Sequence, residues 1–220
     1  MTQTVIVALE TATEGCSVAV YRDGEIFAHS EEAPRRHTAR LLPMLEAVMA
    51  QAGVGGDDVA AVAFGQGPGA FAGVRLAASA AQGLCTAWGV PALPVSTLAA
   101  LAEGARRRHG AGQVLAALDA RMGQVYWGSY RALGSAGVAL AGGAEAVDAP
   151  QDVAGGGDDW FGVGRGFAAY AEQLPVTGAG RDPEALPEAR DLLPMALADR
   201  RAGRVCDAEA VRPVYLREGV

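Results

Sequence analysis

"VIVALETATEGCSVAVYRDGEIFAHS", Val5 to Ser30, opens the chain with three β-rich runs and one diagnostic turn. Val5–Glu10, Cys16–Arg22 and Glu25–Ser30 read as strands, and Asp23-Gly24 between the last two is a two-residue hairpin signal. A strand meander therefore precedes any helix. Working outward, Arg36–Ala52 carries helical periodicity and Val59–Phe64 reads as a buried strand. Ala72–Trp88 follows as a second helix, then Ala92–Val95 as a strand ahead of a helix capped by Ser96 or Thr97.

The order βββαβαβα predicts an α/β fold, a mixed sheet with helices on its faces, the layout of ribonuclease-H-like domains. After Arg106-Arg107-Arg108 the strand signals resume, with Gln113–Asp119 and Gln124–Arg131 flanking "DARMG". They predict a second, smaller lobe. Residues 133–159, rich in glycine and alanine and ending in "GGGDD", read as loosely structured strands and a mobile loop. From Pro187, "EARDLLPMALADRRAG" makes a helix and "EAVRPVYLREGV" a tail returning to the first domain. The expected division is 1–105, completed by 188–220, and 106–187.

Half of the 220 residues are apolar, enough for a substantial core. The N-terminal run "MTQTVIVALE" has no basic n-region or long apolar h-region, so no export signal is expected, and a cytoplasmic protein is. The most apolar long window, Leu76–Leu93, is broken by Gln82, Gly83, Trp88, Gly89 and Pro91, short of the ~20 residues a membrane span needs. Cys16, Cys85 and Cys206 are scattered and odd in number, which suits neither a disulfide framework nor a zinc site. Net charge is −7 and every cation except histidine is arginine. With no lysine there is no Walker lysine and no Schiff-base chemistry. The acidic balance also argues against autonomous nucleic-acid binding, so any RNA would be reached through a basic partner.

"GQGPGAFAGVRLA", Gly65 to Ala77, offers two readings. Its glycines could expose backbone N–H groups to an anion at a helix N-terminus, or could let two stretches of backbone meet closely. Neither G-x-x-x-x-G-K-[ST] nor G-x-G-x-x-G is present. Gly73, Ala77, Ala80, Ala81 and Gly83 line the following helix, and their small size favours close helix packing. In "PRRHTARLLPMLEAVMAQAG", His37 is followed four residues on by Leu41, so the i, i+4 histidine pair of a helical metal site is absent. The apolar positions Leu41, Leu42, Met44, Leu45, Val48, Met49 and Ala52 span about 160°, more than the ~100° that one core face takes. The surplus predicts a second surface to bury.

Glu10, Thr11, Thr13 and Glu14 fall in a strand-to-strand turn, where carboxylates could hold Mg²⁺ or do acid–base work but are more commonly exposed. Asp119 and Arg121 either fix a turn by pairing or meet a ligand, and pairing is favoured. "GVGRGF", Gly162–Phe167, opens a helix without completing the dinucleotide fingerprint. No G-x-S-x-G elbow occurs.

Taken together, "ALETATEGCSVAV", "RRHTARLLPMLEAV", "GQGPGAFAGVRLAASAAQGL", "VPALPVSTLAALA", "LDARMGQVYWG" and "RPVYLR" resemble, in order and spacing, the TsaB (YeaZ) family of tRNA threonylcarbamoyladenosine biosynthesis proteins. The resemblance runs nearly end to end. It implies the two-lobed ribonuclease-H-like fold shared with actin, Hsp70 and sugar kinases (the ASKHA fold), with mixed sheets, helices and a reduced second lobe. It implies a subunit with no catalytic residue and no metal of its own, similar to the catalytic paralogue TsaD, which carries a metal-binding H-x-x-x-H where this chain has His37 and Leu41.

The same resemblance implies pairing with TsaD through Arg36–Ala52 and Ala72–Trp88, joined by the ATPase TsaE, in transfer of threonylcarbamoyl to the adenosine beside the anticodon of ANN-decoding tRNAs. ATP or ADP and the metal are then expected on the partners. The interface would comprise His37, Arg40, Leu41, Met44, Leu45, Val48, Arg75, Leu76, Ala77 and Ala80, with a homodimer through the same helices when the chain is alone. A nucleotide at that interface would meet Glu10, Thr11, Thr13, Gly67, Gly69, Asp119 and Arg121. Ala70 and Ala72 replace the Ser and Thr usual in the family's G-P-G-S-F-T-G, and Glu10 stands where Asp is common, which weakens the case for direct nucleotide contact. The competing reading is a stand-alone enzyme of this fold, a small-molecule kinase or a metallopeptidase-like hydrolase.

Overall fold

The structure, a computed structural model, describes residues 4–217; residues 1–3 and the last three of the expected segment 188–220 lie outside the described residues. The chain divides into two compact units. The first runs to Thr97 and is rejoined by Glu188–Val214; the second holds Leu98–Pro187 and the chain from Tyr215.

In the first unit β1 (Val5–Glu10), β2 (Gly15–Arg22) and β3 (Glu25–Glu32) form the meander, with Asp23 and Gly24 both at positive φ in its turn. β4 (Val59–Gly65) and β5 (Ala92–Val95) complete a five-stranded sheet of order β3-β2-β1-β4-β5, antiparallel on the meander side and parallel on the other. Alternate residues of the central strands face opposite sides, as the two-residue period demands. Val5, Val7, Leu9, Val18, Val20, Val62 and Phe64 build one core with α1 (His37–Ala52) and α2 (Phe71–Trp88). Ile6, Ala8, Ala19, Ala61 and Ala63 are equally buried, and α5 (Ala189–Arg201) packs against β1, β2, β4 and β5, where the Ser17 hydroxyl accepts a hydrogen bond from the N–H of Ala189 at 2.8 Å.

Both early helices stop at a glycine in the left-handed region, Gly53 at φ 65° and Gly89 at φ 66°. α1 runs unbroken through the exposed Pro43. Its Leu41, Met44, Leu45, Val48 and Ala52 recur at three- and four-residue intervals and all point into the core.

In the second unit, α3 (Thr97–His109, in this unit from Leu98) leads into β6 (Gln113–Arg121) and β7 (Gln124–Ala132). These pair with β8 (Val138–Leu140), β9 (Ala146–Asp148), β10 (Phe161–Val163) and β11 (Arg181–Asp182) in the order β11-β10-β6-β7-β8, with β9 also on β7. Leu115, Ala117, Val125, Phe167 and Val176 form the core beneath the short α4 (Arg165–Tyr170).

Three expectations are modified. The division falls at Thr97 rather than 105, because α3 packs in the second unit: a Cβ on Gly164 would sit 3.0 Å from the Leu101 side chain. The tail is shared. The Val214 N–H reaches the Gln66 carbonyl at 2.7 Å in the first unit, and Arg217 Nη2 donates to the Ala120 carbonyl at 3.0 Å in the second. The stretch 133–159 is packed at Gly155 and Gly156 and open at Gly134, Gly142 and Gly143, rather than loose throughout: a Cβ on Gly155 would lie 2.0 Å from Ser129 Oγ, and Trp127 Nε1 donates to Asp148 at 2.8 Å.

The glycines of the Gly65–Ala77 stretch serve the first unit's own backbone. A Cβ on Gly69 would stand 2.3 Å from the Ala12 carbonyl oxygen, and one on Gly73 2.1 Å from that of Thr11. Replacing Gly73 by Ala therefore forces α2 away from the turn, with an expected loss of about 1–3 kcal/mol in denaturant unfolding. Gly83→Ala on the same helix, where a Cβ meets nothing within 4 Å, should instead gain about 0.5–1 kcal/mol.

Candidate functional site

The residues singled out by sequence fall in three places: the turn after β1, the helices α1 and α2, and the end of β6. At the turn, Glu10 is the last residue of β1 and is fully buried, not an exposed turn carboxylate. Its Oε1 accepts the Ala12 N–H at 2.6 Å and its Oε2 the Thr97 hydroxyl at 3.1 Å. Gly65 lies against it, since a Cβ there would be 1.9 Å from Oε2. Burial pushes the Glu10 carboxyl up to about 7, opposed by the hydrogen bonds from Ala12, Thr97 and Thr11.

Thr11 is also buried, and its hydroxyl donates to the Gly73 carbonyl at 2.7 Å. The Ala70 N–H bonds to the Ala12 carbonyl at 2.7 Å, which seats the first turn of α2 on the β1–β2 turn. Thr13 is half-buried and accepts the Gly15 N–H at 3.3 Å. Gly67, at φ 104°, precedes a cis Pro68 and is buried; Gly69 is half-buried. The structure thus draws Glu10, Thr11, Gly65, Gly69 and Gly73 into one clamp. Asp119 and Arg121 belong to the β6–β7 turn of the second unit, where Asp119 accepts the Arg121 N–H at 2.8 Å and its Nη1 at 2.9 Å, the pairing that sequence favoured.

The helix face requires a correction. Leu41, Met44, Leu45, Val48 and Ala77 are between 0% and 4% exposed, so they are core residues and present no apolar strip to a partner. The reason is geometric. The two helices lie on the sheet face lined by Val5, Val7, Leu9, Val18 and Val20, and their inner stripes are consumed by it. Ala80 is half-buried against the same core. The small-residue line on α2 splits accordingly: Gly73, Ala77 and Ala81 face inward, and Gly83 faces open space.

What remains outward is a second apolar set. Leu42 is 55% exposed and Phe71 45%, while Leu76, Leu84, Met49 and Trp88 are half-buried. Leu42, Leu45, Met49, Val54 and Trp88 line a shallow groove of about 490 Å³ with Glu46 and Ala50. The Arg75 guanidinium lies 3.5 Å from the centre of the Phe71 ring, and Arg40 grips Glu31 through two hydrogen bonds of 2.6 and 2.8 Å. Leu42 and Met49 lay within the predicted apolar arc; Phe71 was missed because the helix begins one residue earlier than its pattern indicated.

Among the described residues no three of His, Cys, Asp and Glu gather as a metal site requires. The His37 Nε2 lies 3.2 Å from the Gly15 carbonyl, and Leu41, four residues on, is inside the core. No described helix is long and apolar enough to cross a membrane.

The sequence of the TsaB protein of Escherichia coli (strain K12), named as a tRNA threonylcarbamoyladenosine biosynthesis protein, is 42% identical over 98% of this chain and 95% of its own length. The chain belongs to the TsaB family. The TsaB protein of Haemophilus influenzae is 37% identical over the whole of this chain and 96% of its own. The solved structure of YeaZ from Pseudomonas aeruginosa superposes with a TM-score of 0.91 at 46% identity, covering 97% of this chain and all of that one. The family model of TsaD, the tRNA N6-adenosine threonylcarbamoyltransferase, matches residues 28–175. The α/β fold expected from the strand and helix order, and the ASKHA-like form of it that the family resemblance implied, agree with these relatives.

The clamp gives TsaB-family residue Glu10 a measurable pH signature. A carboxyl at about 7 in the folded chain and 4.5 when unfolded favours the protonated state on folding, so stability is full below about 4.5 and declines as pH rises to about 7. The expected decline is about 2–4 kcal/mol. Glu10→Gln, which keeps an acceptor for Ala12 and a polar partner for Thr97, should flatten it in urea unfolding measured from pH 4 to 8. A wild-type curve with no such decline would mean that Glu10 ionises freely.

Proposed function

We propose that this chain is the accessory, non-catalytic subunit of the machinery that installs threonylcarbamoyl on the adenosine beside the anticodon of ANN-decoding tRNAs. The observation that carries the reading is end-to-end similarity to proteins named for threonylcarbamoyladenosine biosynthesis. Two structural features support the non-catalytic part. Leu41 occupies, inside the core, the position where the catalytic paralogue has its second histidine, and the buried carboxylate of the β1–β2 turn, Glu10, spends both oxygens on its own chain. A stand-alone kinase or hydrolase would need those groups directed at a substrate.

The partner is a TsaD-like catalytic subunit, with a TsaE-like ATPase completing the assembly. Docking uses the outward residues Leu42, Phe71, Arg75, Leu76 and Leu84, with His37 and Arg40 at its edge, in place of the buried set read from sequence. An apolar face of this kind is normally covered, by the partner or by a second copy of the chain when the partner is missing. ATP, ADP and the metal sit on the partner subunits in this reading, a nucleotide at the shared interface being compatible with it. A chain of net charge −7 without lysine reaches tRNA through its partners, in the cytoplasm where tRNA is found.

The test is reconstitution with TsaD-like and TsaE-like subunits, ATP, the threonylcarbamoyl donor and tRNA. Omitting this chain should abolish the modification. Leu42→Glu combined with Leu84→Glu should weaken partner binding at least about tenfold while unfolding stays close to wild type. Modification without the chain would refute the accessory role, modification by the chain alone would refute its non-catalytic nature, and undiminished binding by the double variant would place the interface elsewhere.

A further inference from the structure

The β6–β7 turn holds a methionine in a setting that docking through α1 and α2 leaves unused. Met122 is 87% exposed, whereas Met44 and Met195 are buried and Met49 is half-buried. Arg121, Met122 and Gly123 adopt φ of 63°, 55° and 75°, three successive residues in the left-handed region that side chains other than glycine rarely enter. Asp119 fixes this backbone from below through the Arg121 N–H and guanidinium. Arg217 clamps it from the C-terminal segment of the same unit: Nη2 donates to the Ala120 carbonyl at 3.0 Å and to Gln124 Oε1 at 2.7 Å, and Nη1 lies 3.8 Å from Met122 Sδ. A thioether sulfur is a poor acceptor, so the contact to Met122 is the weak member of the clamp.

We propose that Met122 is a peroxide-oxidation site whose sulfoxide is bound by Arg217, tying the C-terminal segment to the β6–β7 turn. The Sδ lone pair attacks one oxygen of hydrogen peroxide; the S–O bond forms as the O–O bond breaks, and the proton on the transferred oxygen passes to the departing hydroxide, giving sulfoxide and water. Sulfur is oxidised by two electrons and the peroxide is reduced by two. A thiol-dependent sulfoxide reductase reverses the step, its two thiols becoming a disulfide as the oxygen leaves in water. The oxygen stands one bond length out from Sδ and carries a partial negative charge. In the epimer that directs it toward Nη1 it closes the gap now spanned by sulfur and replaces a poor acceptor by a strong one. The left-handed backbone holds the side chain outward, in reach of oxidant, while keeping it over the guanidinium.

The experiment uses the full chain with limiting hydrogen peroxide, followed by peptide mass spectrometry and amide hydrogen exchange. Met122 should oxidise about tenfold faster than Met49, the next most accessible described methionine. Exchange of the amides from Asp119 to Gln124 should then slow about tenfold in the oxidised protein, the effect of one added hydrogen bond to a charged donor. In Arg217→Ala, oxidation of Met122 should persist while the slowing disappears, and in Met122→Leu peroxide should leave exchange in the turn unchanged. Oxidation of Met49 ahead of Met122 would overturn the site. Unchanged or faster exchange in oxidised wild type, or equal slowing in Arg217→Ala, would overturn the role of Arg217.

Discussion

The first unit is organised around one close approach, that of the α2 N-terminus to the backbone of Thr11 and Ala12. Backbone can come this near only where there is no Cβ, which is why Gly69 and Gly73 stand opposite the Ala12 and Thr11 carbonyls. Once seated, the contact is locked by hydrogen bonds from Ala70 N–H to Ala12 and from Thr11 hydroxyl to Gly73. Glu10 extends the lock to Thr97 within the same unit, and Gly65 leaves room for its carboxyl. An anion cradle and a packing seam use the same residue type. Here the Ala70 N–H, which a cradle would expose, is spent on the seam.

That seam sets the position of α2 on the sheet, and with it which side chains are left for a partner. The sheet face of Val5, Val7, Leu9, Val18 and Val20 takes the stripes Leu41–Met44–Leu45–Val48 and Val74–Ala77–Ala78–Ala81. A fully buried Leu contributes about 1.5–3 kcal/mol, so these positions cannot also be exchanged for intermolecular contacts without unfolding the unit. The exposed Leu42 and Phe71, with the outer edges of the half-buried Leu76 and Leu84, are what our proposed docking can use. The other sheet face is lined with alanines, and α5 crosses it with its own first N–H capped by Ser17. A helix from the end of the chain thereby closes the domain that the first residues open.

Burying a carboxylate at the centre of such a clamp has an electrostatic consequence. The low-dielectric surroundings oppose charge on Glu10, and only three hydrogen-bond donors oppose that in turn, leaving its proton nearly balanced at neutral pH. The chain's arginines work differently. Arg40 with Glu31, Arg121 with Asp119 and Arg217 on the β6–β7 turn all use the planar, multi-donor guanidinium to hold loops and edges, a geometry that lysine does not supply.

The sequence by itself determined the element order up to β7, the hairpin at Asp23-Gly24, the helix ends at Ala52 and Trp88, the favoured Asp119–Arg121 pair and the family, because each is written in local periodicity, turn chemistry or ordered motifs. Only the tertiary structure decided which side of each helix is inside. An apolar arc of about 160° states that more than one surface is covered, but the hydrophobic effect has no direction, and the arc does not say which part faces the sheet. Glu10 shows the same limit: a carboxylate beside a turn looks exposed until Gly65, Thr97 and Ala12, distant or merely adjacent in sequence, are folded around it. The glycines of the Gly65–Ala77 stretch left an anion cradle and a close approach both open, with helix packing favoured; that Gly69 and Gly73 meet the chain's own β1–β2 turn is a long-range contact, and no local pattern encodes it.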